Sequence, residues 1–367
     1  MRKKQTVFVG LSGGVDSSVA AARLLARGYN VVGVFIKVWH PEFMVCNWEQ
    51  ERLDAMRVAA HLEIPFLTCD AEAEYRDEVA KYFIEEYKTG RTPNPDVMCN
   101  KEVKFGAFLR FAKERGADFI ATGHYAQRIN PTNTTENDKI TKGGPVPKAE
   151  MHRGVDSNKD QTYFLWTLTQ DQLDYTLFPI GDTPKSQIRK EAEKLGLPTA
   201  IKKDSQGICF LGHVDIPEFL SHYIDLKKGD VLDEAGKVVG KHKGALVYTI
   251  GQRHGFTLNT KDTAREAMYI SSRDIESNTI TVNSTKPETN PGNNLLISNV
   301  VLRSQLKDGE ILEAQFRYRQ APFKVVAHEA KNNSMILTIL KPTEVAVVGQ
   351  SCVLYKGSQC IGGGILA

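Results

Sequence analysis

The residues from Gly10 to Ser18 have the composition of a loop that binds phosphate. This segment is rich in glycine and serine, follows a short apolar run and precedes a helical pattern. Glycines let the backbone approach a ligand closely, and the free N–H groups at the start of a helix attract anions. We therefore expect a phosphate site here, rather than a Ser/Gly turn that only caps the helix. The absence of Gly-Lys-Ser/Thr and of Gly-x-Gly-x-x-Gly from the segment argues against a Walker A loop and a dinucleotide-binding fold.

Two cysteines lie in segments that are compatible with a catalytic role. Cys99 follows Asp96 by three residues in a segment with two prolines, residues 92–100, which we expect to be a rigid loop between two helices. Cys209 lies in the segment 204–210, where helical patterns give way to short strands and glycine-rich turns. A thiolate is a strong nucleophile, but for either cysteine alone a buried, unreactive thiol is the simpler interpretation. The sequence does not show whether the two thiols meet.

The composition excludes several classes of protein. Lys and Arg number 47 against 44 Asp and Glu, which is too balanced for a polybasic protein, although a local basic face is compatible with it. The 6 cysteines include no Cys-x-x-Cys pair and the 9 histidines lack metal-ligand spacing, so we expect no structural zinc site. Mostly free thiols in a reducing cytoplasm are expected instead. No apolar run reaches ~18 residues and no signal peptide is recognisable, so no membrane span is expected.

The pattern of elements places the phosphate loop in an α/β domain. Alternating strands and helices indicate a doubly wound parallel sheet, which binds ligands beyond the carboxyl ends of its strands. The predicted strands cover residues 6–11, 31–38, 65–69 and 119–122, and the predicted helices cover 16–27, 48–62, 75–88, 104–115, 160–166 and 185–196. The polar, turn-rich segment 130–148 predicts an exposed, mobile loop.

The second half of the chain has a different pattern of predicted secondary structure. Short strands and glycine-rich turns from about residue 208 predict a small central domain, and the chain beyond residue 277 reads as strands only, which predicts a small closed barrel or a sandwich. The predicted strands of this last part cover 295–302, 311–318, 323–328, 335–340 and 351–355. We therefore expect three domains, over residues 1–207, 208–277 and 278–367.

Several motifs occur in an order that resembles one known family. The chain is similar to the bacterial tRNA-specific 2-thiouridylases, which belong to the PP-loop ATP pyrophosphatases, and the resemblance extends from Val7 to Ile365. The motifs are Ser-Gly-Gly-Val-Asp-Ser, Pro-Asn-Pro-Asp-Val-Met-Cys-Asn-Lys, Ala-Thr-Gly-His-Tyr-Ala, Lys-Asp-Gln-Thr-Tyr-Phe-Leu, Asp-Ser-Gln-Gly-Ile-Cys-Phe, Tyr-Thr-Ile-Gly-Gln-Arg, Phe-Arg-Tyr-Arg-Gln and Cys-Ile-Gly-Gly-Gly.

The resemblance implies an ATP-dependent sulfur transfer to the wobble uridine of tRNA. ATP adenylates the C2 oxygen with release of pyrophosphate, and sulfur then replaces it. Cys209 corresponds to the persulfide carrier and Cys99 to the partner nucleophile. Cys99 either attacks the persulfide and releases sulfide, or closes a Cys99–Cys209 disulfide after direct transfer. Asp96 corresponds to the proposed acid/base residue beside the base, and its alternative role is that of a cap.

The resemblance also places the binding residues. The ATP site is expected at Gly10, Leu11, Ser12, Gly13, Gly14, Val15, Asp16, Ser17, Ile36 and Gly123. The tRNA contacts are expected at Asn94, Pro95, Asp96, His124, Lys159, Asp160, Gln161, Arg317, Tyr318 and Gln350. Asp16 is equally compatible with a role in holding Mg²⁺ and with a helix cap. The alternative role of His124 is that of a cap or a satisfied loop histidine. Arg317 and Arg319, two apart on a predicted strand, are expected to share a face suited to phosphates.

The resemblance implies ATP with Mg²⁺ as cofactors, tRNA and a persulfide-donating sulfur carrier protein as partners, and a cytoplasmic, monomeric enzyme. Two other functions are compatible with parts of the sequence. One is a PP-loop ligase similar to tRNA lysidine synthetase, which needs no cysteine pair. The other is an RNA-binding protein with a vestigial nucleotide loop, which would release no pyrophosphate.

Overall fold

The structure is a computed structural model that describes residues 4–44, 48–130, 148–204, 207, 209, 212, 214–259, 267–329 and 332–367. The predicted mobile loop at 130–148 lies outside the described residues except at its two ends. The first part of the chain contains, in order, β1 (Thr6–Gly10), α1 (Val15–Ala26), β2 (Asn30–Lys37), α2 (Trp48–His61), β3 (Phe66–Asp70), α3 (Glu72–Glu74), α4 (Lys81–Lys88), α5 (Pro95–Met98), α6 (Phe108–Glu114), β4 (Phe119–Ala121), β5 (Ala126–Ile129), β6 (Glu150–Arg153), α7 (Gln170–Asp174), β7 (Thr176–Leu177) and α8 (Lys185–Lys194).

Five of these strands form a parallel sheet in the order β3-β2-β1-β4-β7. Alternate residues of β1 and β2 face two different cores, since Phe8 and Val34 pack on one side and Val7 and Phe35 on the other. Burial on both faces explains why these strands read as continuous apolar runs. The strand order reverses between β1 and β4, and ligands bind at such a switch point. The predicted doubly wound parallel sheet is confirmed.

Two π-helical stretches lie within the helices that flank the sheet. Tyr75–Ala80 connects α3 to α4, and Cys99–Ala107 connects α5 to α6. The sequence predicted a loop over 92–100, and this was wrong from Pro95 onward. Asn94 caps the helix, because its side chain accepts a hydrogen bond from the Val97 N–H at 3.3 Å. Pro95 is tolerated at the first helical position, where its missing N–H would have no partner.

The middle of the chain forms a second sheet in the order β10-β9-β8-β12-β11. Its elements are α9 (Ile216–Ser221), β8 (Gly229–Leu232), β9 (Val238–His242), β10 (Thr257–Leu258), β11 (Tyr269–Asp274) and β12 (Thr279–Asn283). Phe83 and Tyr87 of α4 pack into the same core as Phe219 and Ile280. This sheet therefore rests on the helix that follows the first π-helical stretch.

The last part of the chain is a closed antiparallel barrel. Its strands are β13 (Glu288–Thr289), β14 (Asn294–Leu302), β15 (Glu310–Gln315), β16 (Phe323–Glu329), β17 (Met335–Ile339), β18 (Thr343–Glu344), β19 (Ser351–Lys356) and β20 (Gln359–Leu366). Six of them pair in the order β14-β17-β16-β15-β19-β20, and β20 pairs again with β14. Of the two predicted arrangements, barrel or sandwich, the barrel is confirmed. The hairpin β5–β6 pairs with β20 and so extends the barrel sheet. A hairpin of the first part of the chain is therefore hydrogen-bonded to the barrel.

One detail of the last part and one of the first differ from the sequence prediction. Arg317 and Arg319 lie in a turn after β15, not on a strand, and Arg319 has a φ of 64°. The Gln320 side chain closes this turn by accepting the Phe316 N–H at 2.7 Å. In the first part, the predicted helix over 160–166 is limited to a 3₁₀ turn at Thr162–Phe164.

Candidate active site

The glycine-serine loop connects β1 to α1 at the switch point of the sheet. Gly13 has a φ of 68°, which favours glycine, and Gly14 starts α1 without a side-chain cap. The Ser17 hydroxyl donates to the Gly14 carbonyl at 3.2 Å and accepts the Ser12 N–H at 3.3 Å. The helix start therefore offers N–H groups and hydroxyls around one small space, as an anion site requires.

Neighbouring backbone segments pack closely against this loop. A Cβ on Gly123, which follows β4, would lie 2.7 Å from the Ser17 nitrogen. A Cβ on Gly13 would lie 2.7 Å from the Glu51 carbonyl oxygen. Ile36 is near Gly10, because its Cδ1 lies 3.7 Å from the position of a Cβ there. The structure thus brings together the residues for which the sequence predicted ATP binding.

A network of charges joins the loop to two later segments. The Lys185 ammonium lies 2.7 Å from both carboxylate oxygens of Asp16 and 2.9 Å from Asp204. Asp204 also pairs with Lys159 at 2.7 Å and with Arg189. Burial of the Asp204 carboxyl opposes its ionisation, but the hydrogen bonds from Lys159 and Lys185 outweigh this and hold its pKa well below the ordinary range. Asp204 is the first residue of the segment 204–210, which carries Cys209.

The two predicted thiols meet. The Sγ atoms of Cys99 and Cys209 lie 3.5 Å apart, and both cysteines are free. The Asp96 carboxylate accepts the Cys209 N–H at 2.7 Å, and the Tyr75 hydroxyl donates to the Cys209 carbonyl at 3.0 Å. The peptide of Cys209 is therefore held at both ends while its thiol faces Cys99. An S–S bond is about 2.05 Å long, so the two sulfurs must approach by about 1.5 Å to form a bridge.

The environment gives the two thiols different acidities. The hydrogen bond from Cys99 lowers the pKa of the Cys209 thiol to about 7 against the effect of burial, with a further contribution from the Lys104 ammonium. Burial and the hydrogen bond to Cys209 raise the pKa of Cys99 well above the ordinary range. Burial also raises the pKa of Asp96. Cys209 is therefore the thiol of the pair that ionises first.

Sequence reasoning missed three residues of the site: Tyr75, Lys104 and Lys185. Lys104 follows Cys99 by five residues, and five residues separate hydrogen-bonded partners in a π-helix. A helical pattern with the usual period does not reveal such a pair. Tyr75 contacts Cys209 and Lys185 contacts Asp16, in each case more than a hundred positions away, so no local motif identifies them.

Two of the predicted tRNA contacts lie at an open cavity. Arg317 and Gln350 line a cavity of about 860 Å³ between the central sheet and the barrel, together with Lys243, Arg253 and Lys286. Within the described chain, the buried side-chain amide oxygen of Gln350 has no hydrogen-bond partner. Tyr318 packs on Phe164, with ring centroids 4.7 Å apart. This cleft is basic and open to a polar ligand.

Other predicted contacts already have partners in the protein. His124 is buried and hydrogen-bonds Thr122 at 2.8 Å, and burial, with a smaller effect of Lys104, lowers its pKa well below the ordinary range. Asp160 is buried and pairs with Arg153 at 2.9 Å. The Gln161 side chain accepts the Tyr125 N–H at 2.9 Å. Their contact with tRNA remains a prediction.

Within the part of the chain that the structure describes, no helix is both long and apolar enough to span a bilayer. The same residues contain no group of three or more His, Cys, Asp or Glu side chains that could hold a metal ion.

The parallel sheet and the glycine-serine loop at its switch point define a PP-loop enzyme, and this one contains a pair of thiols in contact. Family models match the chain as the tRNA methyl transferase HUP domain over residues 5–213, the tRNA methyl transferase PRC-barrel domain over 217–284 and the aminomethyltransferase beta-barrel domain over 293–366. The chain belongs to the family of the tRNA-specific 2-thiouridylase MnmA.

The curated relatives align over nearly their whole length. The tRNA-specific 2-thiouridylase MnmA of Listeria monocytogenes is 43% identical over 98% of this chain and 94% of its own. The same enzyme of Enterococcus faecalis is 42% identical over 99% and 95%. Among solved structures, the U34-tRNA thiolase NcsA of Methanococcus maripaludis is 19% identical with a TM-score of 0.34, over 60% of this chain and 64% of its own. That likeness is too low to carry an argument.

Proposed function

We propose that this protein uses ATP to replace the C2 oxygen of the wobble uridine of tRNA by sulfur. The observation that carries this proposal is the contact at 3.5 Å between the Cys99 and Cys209 thiols in a PP-loop protein. Adenylation alone needs no thiol pair, whereas delivery of sulfur from a persulfide needs one cysteine to carry it and another to cleave the S–S bond. Family membership supports the same reaction.

The reaction starts at the loop between β1 and α1. The C2 oxygen of the uridine attacks the α-phosphorus of ATP, pyrophosphate leaves, and the oxygen becomes part of an AMP leaving group. We assign the triphosphate to the segment Gly10–Ser17 and to Gly123, and the adenine contact to Ile36. The N–H groups at the start of α1 stabilise the negative charge that develops there.

Asp16 fits a role in holding Mg²⁺ with ATP. Its carboxylate stands at the start of α1 and already binds a cation, since the Lys185 ammonium is 2.7 Å from both oxygens. Mg²⁺ is commonly held by one or two carboxylates and the substrate phosphates, so a larger acidic cluster is not required. When bound, the ion neutralises charge on the phosphates.

Sulfur transfer follows at the thiol pair. Cys209 carries a persulfide, whose outer sulfur replaces the oxygen at C2 while AMP leaves. Cys99 attacks the Cys209 sulfur, breaks the persulfide bond and forms a Cys99–Cys209 disulfide, either before or after the outer sulfur reaches the base. The proton of Cys99 passes to the sulfur that leaves Cys209. A two-electron reductant must then restore both thiols. Asp96 is proposed as the acid/base residue beside the base, in addition to its bond to the Cys209 N–H.

The remaining assignments concern partners. We propose that Asn94, Pro95 and Asp96 face the target base, and that Arg317, Tyr318 and Gln350 bind tRNA at the basic cleft. The proposed tRNA contacts of the first domain are His124, Lys159, Asp160 and Gln161. A sulfur carrier protein is proposed as the persulfide donor to a monomeric, cytoplasmic enzyme with the three domains predicted from sequence.

Mass spectrometry of tRNA nucleosides tests the function. Unmodified tRNA is incubated with the protein, Mg-ATP and a persulfide source, and 2-thiouridine is measured. We expect one exchange of sulfur for oxygen, lost in Cys99→Ser and Cys209→Ser and retained in the control Cys69→Ala, whose thiol is buried elsewhere. Pyrophosphate release without sulfur incorporation would instead favour a PP-loop ligase, and tRNA binding without pyrophosphate would favour a non-catalytic protein.

A further inference from the structure

Tyr125 follows β4 and lies with its hydroxyl against the phosphate loop. The phenol donates a hydrogen bond to Oδ1 of Asp16 at 2.7 Å. Burial, together with the negative charge of Asp16, raises the pKa of Tyr125 above the ordinary range, so the phenol keeps its proton throughout the neutral range. Asp16 therefore has a neutral hydrogen-bond donor beside it, in addition to the Lys185 ammonium.

The position of the Tyr125 side chain is fixed by its surroundings. Tyr125 is only 2% exposed and belongs to the same core as Ile188 of α8. Its N–H donates to the Gln161 side chain and its carbonyl accepts the Gln161 N–H, both at 2.9 Å. A Cβ on Gly154 would lie 2.8 Å from the Tyr125 carbonyl oxygen, so the backbones are in close contact there. The hydroxyl consequently reaches Asp16 from a rigid support, and its hydrogen bond holds the carboxylate in one orientation.

The two donors to Asp16 differ in how they respond to a second cation. A carboxylate has about four acceptor sites. Tyr125 takes one of them on Oδ1, and the Lys185 ammonium takes one on each oxygen, so the remaining capacity is on Oδ2. Lys185 is itself a cation and repels another cation at the same carboxylate, whereas a neutral phenol does not. Tyr125 is thus the donor that can stay in place while Asp16 binds a metal ion.

We propose that Tyr125 is a positioning residue of the nucleotide site, whose hydroxyl holds Oδ1 of Asp16 so that Oδ2 is directed at the Mg²⁺ bound with ATP. This inference rests on the ATP-binding part of the proposed function, in which Asp16 holds that ion. Carboxylates that bind metal ions are themselves oriented by hydrogen bonds, and loss of such a partner weakens metal binding by about 10- to 100-fold. The hydrogen bond from Tyr125 therefore favours the binding of Mg-ATP over that of ATP alone.

Tyr125→Phe tests this inference, because it removes the hydroxyl and keeps the ring and its packing. The readout is the Kd for ATP, measured by isothermal titration calorimetry with and without Mg²⁺ and in the absence of tRNA, so no turnover is needed. The ratio of the two values is the gain in affinity due to Mg²⁺. We expect Tyr125→Phe to reduce this gain roughly tenfold and to leave the Kd without Mg²⁺ unchanged. The matched control is Tyr175→Phe, which removes the hydroxyl of an exposed tyrosine next to β7 and should leave both values unchanged.

A double-mutant cycle shows whether Tyr125 acts through Asp16. Asp16→Asn removes the negative charge of this side chain, so Tyr125→Phe should have no further effect on the gain due to Mg²⁺ in that background. An equal gain in wild type and Tyr125→Phe would overturn the proposal. A loss of affinity that is the same with and without Mg²⁺ would also overturn it, because a merely structural role gives that result. The same holds for an undiminished effect of Tyr125→Phe in the Asp16→Asn background.

The measurement separates this inference from the proposed function. If the gain due to Mg²⁺ depends on Tyr125 but no preparation forms 2-thiouridine, the proposed function fails and the role of Tyr125 in ATP binding stands. If 2-thiouridine forms and the gain does not depend on Tyr125, the function stands and Tyr125 is not a positioning residue.

Discussion

The Lys185 ammonium bridges the carboxylates of Asp16 and Asp204, at 2.7 Å from each oxygen of the first and 2.9 Å from the second. Asp16 belongs to the loop at the start of α1, and Asp204 leads into the segment that carries Cys209. One buried cation therefore connects the proposed nucleotide site with the segment that carries the proposed sulfur carrier. Lys159, a predicted tRNA contact, forms an ion pair with the same Asp204 carboxylate.

Replacement of Lys185 by methionine should weaken ATP binding. The substitution leaves the Asp16 carboxylate without its cation beside the phosphate loop, so it repels the triphosphate. We expect an increase in the Kd for ATP without Mg²⁺ of about tenfold, or ~1.4 kcal/mol, by isothermal titration calorimetry. Lys190→Met is the control, because Lys190 is an exposed residue of the same helix α8. An unchanged Kd for Lys185→Met would show that Asp16 needs no counter-charge.

Gly123→Ala should disrupt the phosphate loop by steric overlap. The added Cβ would lie 2.7 Å from the Ser17 nitrogen and 2.8 Å from the Asp16 carbonyl carbon, and backbone atoms cannot move aside as a flexible side chain would. We expect a loss of about 1–3 kcal/mol in the free energy of unfolding together with loss of ATP binding.

Gly10→Ala is the control for the stability measurement. Its Cβ would meet atoms only at ordinary contact distances of 3.6 to 3.8 Å. Denaturant unfolding of the two variants compares them directly. Equal stability of Gly123→Ala and Gly10→Ala would contradict the close packing of β4 against α1.

The α/β part of the fold could be predicted from sequence because its signals are local. The apolar run at Thr6–Gly10, the glycine-serine loop and the helix after it follow one another directly, and each depends on residues that are neighbours in the chain. The same holds for most barrel strands, whose burial alternates along the chain, as in Met335–Ile339. Strand β20 was not predicted, because Gly362, Gly363 and Gly364 are unfavourable in isolated strands.

The glycines of β20 are explained only by the folded barrel. A Cβ on Gly362 would lie 1.9 Å from the Val301 carbonyl oxygen, and one on Gly363 would lie 2.4 Å from that of Cys352. The contact of Cys99 with Cys209 and the bond from Tyr75 to Cys209 are equally non-local. Such pairs are set by how helices and loops pack, which no pattern along one segment encodes.

Tyr75→Phe should loosen Cys209 without removing a reacting group. The phenol is buried and donates to the Cys209 carbonyl at 3.0 Å, so its loss leaves the Asp96 bond to hold this peptide. A hydrogen bond of this kind contributes about 1 kcal/mol. We therefore expect diamide to close the Cys99–Cys209 disulfide roughly fivefold more slowly, as measured by quenched alkylation and mass spectrometry.

Tyr82→Phe is the control for this experiment, since Tyr82 lies on α4 and has no described contact with the thiol pair. A disulfide that closes equally fast in Tyr75→Phe and Tyr82→Phe would show that Asp96 alone positions Cys209.

The loading of sulfur onto Cys209 should depend on pH in a specific direction. The pKa of Cys209 is lowered to about 7, first by the hydrogen bond from Cys99, so the thiolate is the minor form below this pH and the major form above it. The rate of persulfide transfer should rise about tenfold per pH unit below pH 7 and level off above it. Cys99→Ala removes the donor, so the pKa of Cys209 should rise and the plateau should move to higher pH. The measurement is the rate of mass gain at Cys209 with glutathione persulfide across this range. A profile that is identical in wild type and Cys99→Ala would mean that the hydrogen bond from Cys99 does not set the ionisation of Cys209.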